Sequence, residues 1–140
     1  MSLTVDSVMN SPAVALDHER PVAEAAQLMA EYQIGDVFVT AEGRLTGIVT
    51  DRDLALRVIA EGRALDTELR EVCTPNPQFL TLGDSLDDAM KVMREANVRR
   101  LPVLDGDAVV GALSLGDIAI DEGSNAGRTL RDISAAPANN

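Results

Sequence analysis

The chain contains two copies of one sequence unit. Sliding the sequence against itself gives an ungapped register with an offset of 64 residues, from Val8 against Val72 to Ala55 against Ala119. Identities are sparse, but most matched positions keep the same chemical character. Identical pairs include Leu16 with Leu80, Met29 with Met93, Gly47 with Gly111 and Asp53 with Asp117. The sequence therefore predicts a fold built from two similar halves.

Each copy predicts the element order strand, helix, strand, strand, helix. Apolar residues at helical spacing follow Pro21 in the first copy and Asp84, a predicted N-cap, in the second. In each copy two apolar strands flank turn residues, Glu42-Gly43 and then Asp105-Gly106-Asp107, which predicts a hairpin. A short helix is predicted after each hairpin. The pattern is that of a mixed α/β (α+β) fold with one small sheet per copy.

The composition restricts both the core and the partners. Only 2% of the residues are aromatic while 46% are hydrophobic, so the core must consist of Val, Leu, Ile, Ala and Met. The net charge of −11 argues against nucleic-acid binding, which needs a basic face. The single cysteine, Cys73, excludes an intrachain disulfide. Together with the absence of a targeting or membrane segment, this predicts a cytoplasmic protein.

A repeated motif of glycine, hydroxyl residue and aspartate carries the chemistry. It runs over residues 47–53 in the first copy (the first motif) and 111–117 in the second (the second motif). Each motif joins a strand to a helix, so the hydroxyl of Thr50 or Ser114 and the first helical N–H groups are expected to face a phosphate oxygen. Asp53 or Asp117 could accept two hydrogen bonds from a ribose diol. The alternative is an N-cap that only closes the helix.

Other candidate groups have simpler interpretations. His18 lies in a polar turn and is the only histidine, which argues against a metal site. Cys73 lacks a histidine partner, so we interpret it as a small buried hydrophobe. Asp51 could recruit a hydrated magnesium ion only beside a bound nucleotide. The chain has no Ser-His-Asp set and no phosphate-binding GKS/T loop, so we predict that it is not an enzyme.

The sequence resembles the cystathionine-β-synthase-type (CBS) domain family. The resemblance covers about residues 8–121 and rests on Val8-Met9-Asn10-Ser11-Pro12, on Leu28-Met29, on residues 98–103 and on the two motifs. It implies a Bateman module, in which two repeats pack with pseudo-twofold symmetry and form two clefts for adenosine-containing ligands. The predicted organisation is repeat 1 over 6–62, a connector over 63–71, repeat 2 over 72–122 and a tail over 123–140. The tail contains residues 130–134, which resemble residues 69–73. We interpret them as a docking segment like the one before repeat 2, but with no third repeat after it.

The resemblance also implies which residues line each cleft. Each cleft would combine the motif of one repeat with strands of the other. The preferred cleft would contain Thr50, Arg52, Asp53, Gln78, Val98, Arg99, Arg100 and Pro102. The second cleft would contain Val14, Ile34, Gly35, Ser114 and Asp117.

The two clefts are not expected to be equivalent. Phe38 replaces the proline usual in the family, and Asp36 stands where Arg100 stands in repeat 2. We expect phosphorylated adenosine to prefer the Asp53 cleft, because arginines bind phosphate bidentately and Asp36 would repel it.

The predicted function is that of a regulatory module. The ligand would be AMP, ADP, ATP or S-adenosylmethionine, with no cofactor required, and the target a separate, unknown protein. A homodimer through the helices is also expected, because Leu28, Met29, Val92 and Met93 exceed what one helix face can bury. The alternative is a structural dimerisation module with vestigial clefts.

Overall fold

The computed structural model describes residues 3–122, which fall into two compact units. Unit 1 contains residues 3–13 together with 78–122, and unit 2 contains residues 14–77. Each unit therefore joins the main part of one repeat to a short segment that precedes the other repeat in the sequence. The predicted tail over 123–140, including residues 130–134, lies outside the described residues.

Unit 2 is a small sheet with one long helix and one short one. Strand β1 pairs in parallel with β2, which pairs antiparallel with β3, and β4 pairs antiparallel with β3. The elements are β1 (Ala15–Asp17), α1 (Val22–Tyr32), β2 (Asp36–Ala41), β3 (Arg44–Thr50), α2 (Asp51–Leu54) and β4 (Thr74–Pro75). A π-helical turn over Ala55–Ile59 continues α2, and a 3₁₀ turn over Leu69–Glu71 precedes β4. The predicted hairpin is confirmed, with positive φ at both Glu42 and Gly43.

Unit 1 repeats this arrangement with elements from the second repeat. Strand β5 pairs in parallel with β6, and β6 pairs antiparallel with β7. The elements are β5 (Leu80–Thr81), α3 (Leu86–Ala96), β6 (Arg100–Asp105), β7 (Ala108–Ser114) and α4 (Leu115–Glu122). A 3₁₀ turn over Val5–Ser7 begins the described part of this unit. The predicted order of strand, helix, strand, strand, helix is confirmed in both repeats.

Each unit has its own largely aliphatic core, as the composition predicts, but the structure also buries the aromatic side chain of Phe38, which is 2% exposed. The buried core cluster of unit 2 includes Val22, Met29 and Val49, and that of unit 1 includes Met90 and Met93. Every buried member of both clusters is Val, Leu, Ile, Ala or Met. Burial of Met29 and Met93 removes part of the reason for expecting a dimer through these helices, because both side chains are already covered within their own units.

The start of α3 differs from the sequence prediction. The N-cap is Ser85, whose hydroxyl accepts a hydrogen bond from the Asp88 N–H at 3.1 Å. The predicted cap, Asp84, instead accepts hydrogen bonds from the Thr81 N–H and hydroxyl at 2.9 and 2.8 Å. Both residue types are good N-caps, so the sequence pattern alone does not separate neighbours in this position.

A lead-in segment docks on the sheet of each unit. The first lead-in segment, residues 5–12, lies in unit 1, and the second, residues 69–76, lies in unit 2. The second pairs with β3 through Gly47 and Pro75, and the first forms a bridge between Asn10 and Ala112. Because Val5 and Leu69 are fully buried, each segment belongs to the core of its unit.

The motif glycines permit this docking. A Cβ atom on Gly47 would lie 2.8 Å from the Cys73 Sγ and 2.9 Å from the Thr74 carbonyl oxygen. Since real Cβ atoms essentially never come within 3.0 Å of another heavy atom, only glycine fits beneath the second lead-in segment. The glycine at the start of each motif therefore has a structural role that involves no ligand.

Within residues 3–122, no helix is both long enough and apolar enough to span a bilayer.

Candidate functional site

The first motif forms a capping box at the junction of β3 and α2. The Thr50 hydroxyl accepts a hydrogen bond from the Asp53 N–H at 3.0 Å, and the Asp53 Oδ2 accepts one from the Thr50 N–H at 2.9 Å. This satisfies one helical N–H and holds the carboxylate at the end of the strand. The capping interpretation is therefore confirmed for this motif, and it leaves Asp53 acceptor capacity on its second oxygen.

The second motif has the same local geometry at the junction of β7 and α4. The Ser114 hydroxyl accepts from the Asp117 N–H at 3.1 Å, and the Asp117 Oδ2 accepts from the Ser114 N–H at 3.0 Å. Both residues are half-buried, as are Thr50 and Asp53. The repeat thus places two carboxylate and hydroxyl pairs in matching local frames, one in each unit.

The two carboxylates have different further partners. The Asp53 Oδ1 lies 3.8 Å from the Arg57 Nε, whereas the Asp117 Oδ2 accepts a hydrogen bond from the Asn10 Nδ2 at 2.9 Å. Arg57 gives Asp53 a positive neighbour, while Asn10 gives Asp117 a neutral donor. The two motifs are therefore alike in backbone and different in electrostatics.

The first N–H groups of α2 are bonded inside unit 2. The Asp51 N–H donates to the Gly35 carbonyl at 3.0 Å, and the Arg52 N–H donates to the Asp51 Oδ1 at 2.8 Å. The Asp53 N–H donates to the Thr50 hydroxyl, so all three N–H groups have partners within unit 2. This contradicts the expectation that the first helical N–H groups face a phosphate oxygen. In α4 the position of Asp51 is taken by Leu115, whose side chain cannot accept a hydrogen bond.

The predicted cleft residues are divided between the two units. Unit 2 contains Thr50, Arg52, Asp53, Val14, Ile34 and Gly35. Unit 1 contains Gln78, Val98, Arg99, Arg100, Pro102, Ser114 and Asp117. Each predicted cleft combines residues of both units, so the two sets stay predictions.

The contacts inside each unit bring other neighbours to the motifs. In unit 1, Arg100 is the register partner of Ser114, and the Arg99 carbonyl accepts from the Leu115 N–H at 2.8 Å. In unit 2, Asp36 is the register partner of Thr50. An arginine thus lies opposite the hydroxyl of the second motif and an aspartate opposite that of the first.

Sequence reasoning missed two residues that contact the motif carboxylates, Asn10 and Arg57. Arg57 follows Asp53 by four positions, which is the spacing of a helical ion pair and was a usable signal. Asn10 is separated from Asp117 by 107 residues, so no local pattern predicts their hydrogen bond.

Cys73 lies beside the first motif, half-buried against the core of unit 2. Burial raises the pKa of the Cys73 thiol above its usual range, and the Asp53 carboxylate raises it further. A backbone hydrogen bond and the Arg57 guanidinium oppose these effects. A thiol with a raised pKa is a poor nucleophile at neutral pH, which agrees with its interpretation as a packing residue.

Asp17, His18 and Glu19 bring three possible ligand atoms within 4.8 Å of one another. The Asp17 carboxylate accepts a hydrogen bond from the Glu19 N–H at 3.1 Å, and the His18 Nε2 lies 3.9 Å from the Glu19 carboxylate. These contacts are those of a polar turn at the end of β1.

Comparison with known proteins identifies the family. The chain matches the CBS domain family twice, over residues 5–60 and 69–120. It belongs to the CBS domain family. The CBS domain-containing protein YhcV of Bacillus subtilis is 36% identical over 133 residues, which cover 94% of this chain and 95% of YhcV. The predicted resemblance and fold class are confirmed.

Solved CBS structures have the same fold. The CBS domain protein PAE2072 from Pyrobaculum aerophilum, complexed with AMP, aligns with a TM-score of 0.74 at 24% identity, covering 96% of this chain and all of that one. The CBS domain pair of protein MJ0100, in complex with 5′-methylthioadenosine and S-adenosyl-L-methionine, aligns with a TM-score of 0.75 at 24% identity. That alignment covers 89% of this chain and 99% of the MJ0100 pair.

Proposed function

We propose that this CBS pair binds an adenosine-containing ligand through Asp53 and Asp117 and regulates a separate protein. One observation carries the proposal: two half-buried carboxylates are held by capping boxes in matching frames, each with an oxygen outside its capping bond. A ribose diol presents two hydroxyl donors, and a carboxylate with remaining acceptor capacity is a suitable partner for them.

The solved relatives support this ligand class. PAE2072 is complexed with AMP and the MJ0100 pair with 5′-methylthioadenosine and S-adenosyl-L-methionine, and these ligands share an adenosine group. The ligand of the present chain is therefore proposed to be AMP, ADP, ATP or S-adenosylmethionine. The shared ribose, rather than the phosphate, is the group that the motif aspartates are proposed to bind.

Thermal unfolding with a ligand panel tests the proposal. A ligand that binds only the folded protein at about 100 times its Kd stabilises it by about 2.7 kcal/mol, which raises the Tm by several degrees. We expect such a rise with at least one of AMP, ADP, ATP and S-adenosylmethionine. If no member of the panel at millimolar concentration raises the Tm, the alternative of a structural module with vestigial clefts is favoured.

Aspartate substitutions test which motif binds phosphorylated ligand. The family resemblance assigns phosphate to the Asp53 cleft, in which case Asp53→Ala abolishes most AMP binding and Asp117→Ala has little effect. The register pairing of Arg100 with Ser114 supports the opposite assignment, in which Asp117→Ala is the more damaging change. Calorimetry with AMP and adenosine distinguishes them, since the phosphate-binding site is the one that favours AMP over adenosine.

The proposed module is cytoplasmic, non-catalytic and homodimeric. Leu56, Ile59 and Leu65 of unit 2 are 51%, 74% and 67% exposed, and three large apolar side chains left exposed within ten residues of chain favour an interface. We therefore propose that a second copy of the chain covers these side chains. Light scattering that gives a monomer mass at micromolar concentration would contradict the dimer, and turnover of ATP by the purified protein would contradict a purely regulatory role.

A further inference from the structure

Arg57 contacts both the first motif and the second lead-in segment. Its Nε lies 3.8 Å from the Asp53 Oδ1, and its Nη1 donates a hydrogen bond to the Val72 carbonyl at 2.9 Å. The Asp53 side chain is 14% exposed and that of Arg57 46% exposed, so the carboxylate is the more enclosed partner. One guanidinium thus bridges the proposed ribose-binding carboxylate and the backbone of residues 69–76.

The second motif makes an equivalent connection with different residues. The sequence position that corresponds to Arg57 is Asp121, which cannot donate to a carboxylate in its charged form. Asp117 instead accepts a hydrogen bond from Asn10, a residue of the first lead-in segment. Asn10 corresponds in turn to Thr74, so neither partner is repeated. In each unit the motif carboxylate is therefore connected to the docked lead-in segment, by an arginine in unit 2 and by an asparagine in unit 1. The same connection made with different residues favours a functional role for it.

We propose that Arg57 is a positioning residue that couples ligand binding at Asp53 to the second lead-in segment. Arg57 would hold the Asp53 carboxylate in the position that a ribose diol binds. A bound ribose would fix Asp53 and, with it, Arg57, which strengthens the Arg57 hydrogen bond to the Val72 carbonyl. This inference rests on the proposed function, because it requires an adenosine ligand at Asp53.

The remaining contacts of the segment make it a suitable receiver of this change. The Val72 and Cys73 N–H groups both donate to the Leu69 carbonyl, at 3.1 and 2.9 Å. These bonds form one tight turn, so a stronger hydrogen bond from Arg57 to the Val72 carbonyl stabilises the whole turn. The segment is also the last part of unit 2 along the chain before unit 1 resumes at residue 78.

A matched pair of substitutions tests the coupling in the full chain. Arg57→Met removes the guanidinium but keeps most of the apolar stem, and Arg20→Met does the same to an arginine whose Nε donates to Glu24 at 2.7 Å in the same unit. We expect Arg57→Met to weaken adenosine binding about threefold to tenfold, as for removal of one member of a coupled charge pair, and Arg20→Met to leave it unchanged. Arg57→Lys should recover part of the loss, because it restores the charge without the fork of donors.

Comparison of ligands separates positioning from direct contact. If Arg57 acts through Asp53, Arg57→Met weakens adenosine and AMP by the same factor, and it has no further effect in an Asp53→Asn background. A loss confined to AMP would mean that Arg57 binds phosphate directly, which would overturn the inference.

Amide hydrogen exchange supplies the readout that a purely structural role would not change. In the wild type, saturating adenosine should slow exchange at Val72 and Cys73, and at matched occupancy this slowing should be lost in Arg57→Met. If the wild type binds no adenosine ligand, the proposed function and this inference fail together. If the wild type binds and Arg57→Met shows the same affinity and the same exchange response, only this inference fails.

Discussion

Substitution of Gly111 by alanine should destabilise unit 1. The added Cβ would lie 2.7 Å from the Asn10 carbonyl oxygen and 2.7 Å from the Met9 Sδ. Ordinary contact begins at about 3.4 Å, so one or both neighbours must move by roughly 0.7 Å. Met9 can move its flexible side chain, but Asn10 is held by backbone hydrogen bonds to Ala112 at 2.8 and 2.9 Å. The first lead-in segment must therefore shift.

Two effects of this shift contribute to the expected loss of stability. Overpacking a tight site costs about 1 to 3 kcal/mol. Weakening the hydrogen bonds between Asn10 and Ala112 adds about 0.5 to 1.5 kcal/mol. We therefore expect Gly111→Ala to lower the free energy of unfolding by about 2 to 4 kcal/mol. Because the shift also moves the Asn10 side chain away from Asp117, any ligand affinity at the second motif should fall with it.

Urea denaturation followed by far-UV circular dichroism measures this change. Gly83→Ala is the matched control, because a Cβ there meets nothing within 4 Å, and it should be neutral or stabilising by up to about 1 kcal/mol. Adding Met9→Ala to Gly111→Ala should not restore the stability, since the backbone contact with Asn10 remains and Met9 itself packs against the core of unit 1. A change in stability of less than about 0.5 kcal/mol in Gly111→Ala, the range of ordinary surface substitutions, would show that the added Cβ meets no such clash.

Two further predictions concern Cys73 and the cap of α3. Alkylation of Cys73 should have a pH midpoint above that of a free cysteine, because burial and Asp53 both disfavour the thiolate. Asp53→Asn should move the midpoint to lower pH, since it removes a negative charge beside the thiolate; an unchanged or higher midpoint would contradict this. Ser85→Ala should cost about 1 kcal/mol in urea denaturation, because the Asp88 N–H loses its cap. A loss below about 0.5 kcal/mol would contradict Ser85 as the N-cap of α3.

Much of the fold was predictable because it depends on neighbouring residues. The helices and hairpins follow from the spacing of apolar and turn residues, and the aliphatic cores follow from the low aromatic content. Capping by Thr50 and Ser114 was also predictable, since it involves residues only three positions apart. Where two neighbours were equally suitable, as Asp84 and Ser85 were, the local pattern gave the wrong one.

The tertiary structure alone decided which segments meet the motifs. Self-comparison aligns the two repeats but does not say which lead-in segment packs on which sheet, because that depends on contacts between distant residues. The need for glycine at position 111 arises from Met9 and Asn10, about a hundred positions earlier in the chain. The different partners of Asp53 and Asp117 arise in the same way, from packing that brings Val72 to Arg57 and Asn10 to Asp117. The sequence by itself determined the repeated frame, and long-range packing made its two carboxylates different.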